Sequence, residues 1–298
     1  MVARLKLGQG AVLKKTFTQE HFDRFAELTG DHNPIHVDQE FAARTPFGKT
    51  VAHGMLLYGL ISSILGTRLP GPGTVQLRQE LSFFNPTFAG DEVTFLAWVT
   101  ERNEPRVTLS TIAAKQDGTI ACQGQTVVLL PGAAFSGEQW SPAPPTIDGG
   151  GEHASTKDAR ALGLEIGQKA AIKRVFTSED LRARAELVGD ANPMFIDGQQ
   201  ADASGREPLI PGDLLGGMIS HLLGMKLPGP GTNWLKQTLV FPAQAQVGEE
   251  IIATVEVSRV RPDTKLVNLI TTCTGPGGRM VCGGEALVLF RGSANSGA

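Results

Sequence analysis

Asp31 and His36 stand on either side of Asn33-Pro34. A carboxylate and an imidazole are the side chains suited to passing protons at neutral pH. Pro34 fixes its own φ and drives Asn33 out of the α region, so the chain turns there and brings the two residues toward one pocket. Further on, Gly54 opens a long apolar run, Met55-Leu56-Leu57 and beyond. If that run is a helix, its first N–H groups lack partners and its dipole is positive there, which suits an oxygen that gains negative charge during reaction. Each assignment has a plainer rival. Asp and Asn stabilise tight turns through nearby backbone groups, a lone histidine is often structural, and glycine lets a helix start pack closely. Ser62 falls on the stripe Met55, Tyr58, Gly59, Ser62, Leu65, where ordinary packing explains it equally well.

The chain repeats itself. Gly30-Asp31-x-Asn33-Pro34 returns as Gly189-Asp190-x-Asn192-Pro193, and Phe17-Thr18 as Phe176-Thr177. Leu69-Pro-Gly-Pro-Gly-Thr74 returns as Leu227-Pro-Gly-Pro-Gly-Thr232, one residue out of step, so a single deletion separates the copies. The second copy keeps Asp190, Asn192 and Pro193 but carries Phe195 for His36, Pro211 for His53 and Asp213 for Met55. Part of the motif therefore serves the turn alone. Loss of the histidine among retained neighbours is what abandoned chemistry would leave. The expected organisation is a catalytic domain at 1–132, a linker rich in Pro and Gly at 133–162 and a degenerate domain at 163–298, packed as an intramolecular pseudo-dimer.

In each copy the helical signals come first. Thr18 is a candidate cap for a helix ending near Gly30, Asn33-Pro34 reads as a turn, and Asp38 as the cap of a short helix through Arg44. A helix from about Gly54 to Gly66 is apolar on more than one face and must be buried. After Thr74 the period becomes two, as in Val93, Phe95, Ala97 and Val99, and strands follow to Leu130. This order predicts an α+β fold in which an antiparallel sheet wraps one buried helix.

Composition narrows the partners. The 298 residues carry 27 Lys plus Arg against 30 Asp plus Glu, a net charge of -3, so nothing favours a nucleic-acid backbone. No apolar run reaches the roughly 18 residues of a membrane span, and the start lacks a signal peptide's apolar core. The expectation is a cytoplasmic protein without a membrane partner. Three cysteines, Cys122, Cys273 and Cys282, are too few for a disulfide framework or a clustered zinc site and read as reduced core residues.

The run Gly30-Asp31-His32-Asn33-Pro34-Ile35-His36-Val37-Asp38, followed by Phe41-Ala42 and by Ala52-His53-Gly54-Met55, resembles the signature of the MaoC-like (R)-specific enoyl-CoA hydratases. The downstream Leu-Pro-Gly-Pro-Gly-Thr and Phe88-x-Gly90-Asp-Glu stretches look like that family too. The resemblance implies tandem hot-dog domains, an acyl-CoA thioester substrate and no cofactor. It implies a hydro-lyase that hydrates trans-2-enoyl-CoA to the (R)-3-hydroxyacyl product. It makes Asp31, His36 and Gly54 the catalytic set and places Asn33 and Ser62 near the substrate, with no metal. Dehydration on an acyl carrier protein and thioester hydrolysis are the competing activities.

Overall fold

Alternation along the strands decides which face of the sheet is wet. In the computed structural model, which describes residues 5–142, 162–196 and 207–290, Val93, Phe95, Ala97 and Val99 all point inward and are buried, while Thr94, Leu96 and Trp98 between them are only partly covered. The first half runs β1 (Gly10–Thr16), α1 (Gln19–Thr29), α2 (Pro34–Val37), α3 (Gln39–Ala43), α4 (Gly54–Thr67), β2 (Val75–Phe83), β3 (Glu92–Asn103), β4 (Arg106–Lys115) and β5 (Ile120–Leu129). The second half repeats it as β6 (Lys169–Val175), α5 (Ser178–Val188), α6 (Gly212–Met225), β7 (Thr232–Val240), β8 (Glu250–Arg261), β9 (Leu266–Thr274) and β10 (Met280–Phe290). Asn33-Pro34, expected as a turn, begins one short helical turn instead. Proline at the first helical position suits a helix start, and the Asn33 side chain caps it by accepting from the Ile35 N–H.

The ten strands form one antiparallel sheet in the order β1-β3-β4-β5-β2-β7-β10-β9-β8-β6, which reads the same from either end once the halves are exchanged. The pseudo-two-fold axis passes between β2 and β7, which pair antiparallel with Arg78 opposite Val240 and Leu81 opposite Gln237. Each half is thus a sheet curled around one helix, a double hot-dog. Twelve consecutive residues of α4, Met55 to Gly66, are buried, as its apolar run demands, and α6 is buried almost as fully. The two helices pack together across the axis. At Gly216 a methyl group would lie 2.4 Å from the Met55 sulfur, so the absence of a side chain there sets how closely they approach.

Residues 133–142, the described part of the expected linker, lie over the second half; Pro144, Pro145 and Gly149–Gly151 fall outside the described residues. Gly137 lies against the backbone of Pro242, the Trp140 ring covers Gly283, and Glu138 stands 3.9 Å from both Arg78 and Arg106. All three cysteines are buried and unpaired. Among the described residues no helix is long and apolar enough to cross a membrane.

Candidate active site

Helix α1 ends at Gly30, whose left-handed backbone turns the chain inward and delivers Asp31 to the seam between the halves, where it is 1% exposed. Five residues on, His36 lies on the single turn of α2. Its Nδ1 is 2.8 Å from the Val51 carbonyl oxygen. A carbonyl only accepts, so Nδ1 carries the proton and Nε2 keeps its lone pair. Burial lowers the His36 pKa below the usual imidazole value, against the opposing pull of Asp31 and of the Val51 carbonyl. This ring is therefore a free base at neutral pH.

Three expected residues converge. Asp31, His36 and Gly54 line one cavity of about 180 Å³, walled by Leu57, Phe83 and Leu223, with Phe47, Phe84 and Trp234 also on its lining. Gly54 is the first residue of α4, so its N–H has no partner within the helix. A methyl group there would lie 2.8 Å from the Phe83 ring, so glycine is also needed for packing, and the two readings of this residue coexist. Asn33 borders the cavity too, but its polar atoms serve the protein: Oδ1 accepts from the Ile35 N–H, and Nδ2 donates to the Gly224 carbonyl of α6. It shapes the corner and ties the halves together.

Ser62 does not line this cavity. It is buried elsewhere on α4, and the hydroxyl that reaches Asp31 comes from the other half: Ser220 Oγ of α6 donates to Asp31 Oδ2 at 2.6 Å. The pseudo-two-fold explains the exchange. Ser220 occupies in the second copy the place Ser62 holds in the first, and each helix faces its neighbour's Asp-x-Asn-Pro corner. The neighbouring Ser63 accordingly donates to the carbonyl of Gly189, beside Asp190. The sequence signal was present in the repeat, but only the axis says which serine serves which site.

His53 is the second residue that sequence reasoning left without a role. It is fully buried, its Nε2 is 2.9 Å from the Asp31 carbonyl oxygen, and its ring stacks on His36 with centroids 3.8 Å apart and planes 29° from parallel. Burial, then the neighbouring His36, push its pKa down to about 3, with Asp31 opposing. Asp31, His36 and His53 place one oxygen and two ring nitrogens within 4.8 Å of one another, a composition that could serve a metal. Stacked rings, however, send their in-plane lone pairs side by side rather than toward a common point.

The matching pocket of the second half is much smaller. Its cavity is about 40 Å³, bordered by Phe195, Gly212, Leu215 and Phe241 at positions equivalent to His36, Gly54, Leu57 and Phe83, and additionally by Phe135 from the segment that follows the first half. Where Phe25 and Met55 stand in the first half, the second has Arg184 and Asp213. Arg184 forms a buried ion pair with Asp190 and donates two hydrogen bonds to Asp213, at 3.0 and 2.7 Å. The carboxylate that corresponds to Asp31 is thereby tied to a guanidinium.

Comparison with known proteins places this geometry. The model of the MaoC-like domain matches residues 4–118. An (R)-specific enoyl-CoA hydratase of Aeromonas caviae is 46% identical over 129 residues, which is 43% of this chain and 96% of that protein. A 3-hydroxybutyryl-CoA dehydratase of Methylorubrum extorquens is 40% identical over 131 residues, 43% of this chain and 82% of that protein. Among solved structures, one described as a MaoC-like dehydratase superposes with a TM-score of 0.74 at 17% identity over 95% of this chain and 98% of its own. A Mycobacterium tuberculosis protein described as having a double hotdog fold gives 0.70 at 14% identity, covering 96% of each chain. With Asp31 and His36 lining one cavity, two hot-dog halves around one axis and a relative 46% identical along nearly its whole length, the chain belongs to the MaoC-like dehydratase family, in its double hot-dog form.

Proposed function

We propose that this protein is a hydro-lyase that adds water reversibly to trans-2-enoyl-CoA, giving the (R)-3-hydroxyacyl thioester, at a single site in the first half. The observation that carries this reading is the pairing of Asp31 with a free-base His36 in an apolar cavity that also receives a helix N-terminus. In the reaction, His36 Nε2 takes a proton from a water that Asp31 helps to hold, and the water oxygen bonds to Cβ. The π electrons of the double bond move toward the thioester oxygen, where the Gly54 N–H meets the developing charge. The His36 imidazolium, close to the Asp31 carboxylate, then returns the proton to Cα. A positioned acid or base contributes about 10²- to 10⁴-fold, and one donor to a developing oxyanion about 10²- to 10³-fold.

Neither the pair nor the cavity needs a cofactor for these steps. CoA is taken as the carrier because the relatives at 40–46% identity are named for enoyl-CoA or 3-hydroxybutyryl-CoA, whereas those named for acyl carrier protein stand at 30%. Incubation with crotonyl-CoA tests the reading directly. Loss of the conjugated-enoyl absorbance without free thiol is the expected result. Release of thiol would mean hydrolysis, and no change would leave only binding. A coupled (S)-specific 3-hydroxyacyl-CoA dehydrogenase should stay silent on the product, and a strong signal would reverse the stereochemical assignment.

A further inference from the structure

His53 carries a hydrogen bond and a ring contact, one to each member of the proton-transfer pair, and a third feature that packing does not explain. Its Nε2 must be the donor to the Asp31 carbonyl, which leaves Nδ1 as a bare acceptor, and Nδ1 is buried without a partner. An unpaired buried polar atom costs about 1–3 kcal/mol, and an apolar side chain between Phe25 and His36 would avoid that cost. The repeat supplies an independent observation. The second half keeps Asp190, Asn192, Pro193 and Gly212 but has lost both histidines together, to Phe195 and Pro211.

From these contacts we propose that His53 is a positioning residue for the reaction, fixing the main chain of Asp31 by a hydrogen bond and the imidazole of His36 by stacking. The proposal rests on the functional reading above and adds a residue to it. His53 does not touch substrate, since it is absent from the cavity lining. With its pKa near 3 it stays neutral through turnover, so the proton taken up in the reaction resides on His36.

Two substitutions separate its two contacts. His53→Phe keeps the ring and removes the donor; His53→Gln keeps a donor and removes the stacked ring. With crotonyl-CoA as substrate, each should lower kcat at least tenfold while KM stays within about threefold, because the contacts bear on the reacting groups and not on thioester binding. His53→Phe removes one unpaired buried atom, Nδ1, and leaves another, the Asp31 carbonyl oxygen that loses its donor, so its melting temperature should stay close to that of the wild type. The inference is overturned if a folded His53→Phe or His53→Gln protein keeps more than half the wild-type kcat, if the loss lies in KM alone, or if neither variant folds. A wild-type chain that does not hydrate crotonyl-CoA would instead remove the functional reading itself, so the two failures are distinguishable.

Discussion

At the scale of single residues the site works by fixing tautomers. The carbonyl oxygens of Val51 and Asp31 accept from His36 Nδ1 and His53 Nε2, so each ring is held with its other nitrogen free, and burial keeps both uncharged. Replacing His36 by the residue the second half already carries, His36→Phe, should lower kcat by at least about 10²-fold with the fold intact, as read by turnover and circular dichroism. A variant keeping more than a tenth of wild-type turnover would exclude the proton-transfer role. The pH dependence has a definite sign. Because the His36 pKa lies below 6.5, the base form persists through neutrality, so kcat should be flat there and fall only below the ordinary imidazole range. Stability follows the same direction for His53. Between about 3 and 6.5 the unfolded chain binds a proton that the folded chain refuses, so stability falls as pH drops through that window, which acid titration of the melting temperature would record.

At the scale of elements, each corner is completed by the helix of the opposite half. Helix α6 supplies Ser220 to Asp31 and the Gly224 carbonyl to Asn33, while the Thr74 carbonyl of the first half accepts from Asn192 at 3.1 Å. This cross-supply predicts a contrast between two serines that sequence alone treats alike. Ser220→Ala should lower kcat about tenfold or more, since it strips a buried donor from Asp31, a loss of order 1–3 kcal/mol. Ser62→Ala should leave turnover within about twofold. Equal losses in steady-state assays of the two variants would contradict the assignment of Ser220 to this site.

At the scale of the whole molecule, the two halves share one continuous sheet and a pair of packed helices. Met55, Leu56, Leu214 and Leu215 lie along helices packed across the axis and are at most 2% exposed. Uncovering such side chains costs about 1.5–3 kcal/mol each, so exposing several of them consumes most of the 5–15 kcal/mol that typically holds a domain folded. Residues 1–135 expressed alone should therefore be insoluble or pair with a second copy of themselves. Sedimentation showing a soluble, fully active monomer would overturn this. The proposed division at 1–132, 133–162 and 163–298 rests on the written-out repeat and on the Pro- and Gly-rich composition between the copies. The second half, whose own cavity is small, supplies Ser220, the Gly224 carbonyl and the wall formed by Leu223 and Trp234.

Much of this was legible in the residues because it depends on local spacing. The period of two in Val93 to Val99, the unbroken apolar run after Gly54, the capping pattern at Thr18 and Asp38, and the written-out repeat together specify two like sets of strands, each curled on a helix, though not that β2 and β7 join them into one sheet. The loss of His36 at Phe195 likewise marks the second copy as altered. Other features involve residues far apart in sequence and took form only when the halves met. Ser62 and Ser220 are indistinguishable in the repeat, and the pseudo-two-fold axis alone turns Ser220 toward Asp31. The stacking of His53 on His36 and the buried Arg184 between Asp190 and Asp213 join residues from separate elements. Local chemistry sets the elements and their faces; contacts across the axis decide which side chains share a cavity, because no periodicity along one segment encodes the position of another.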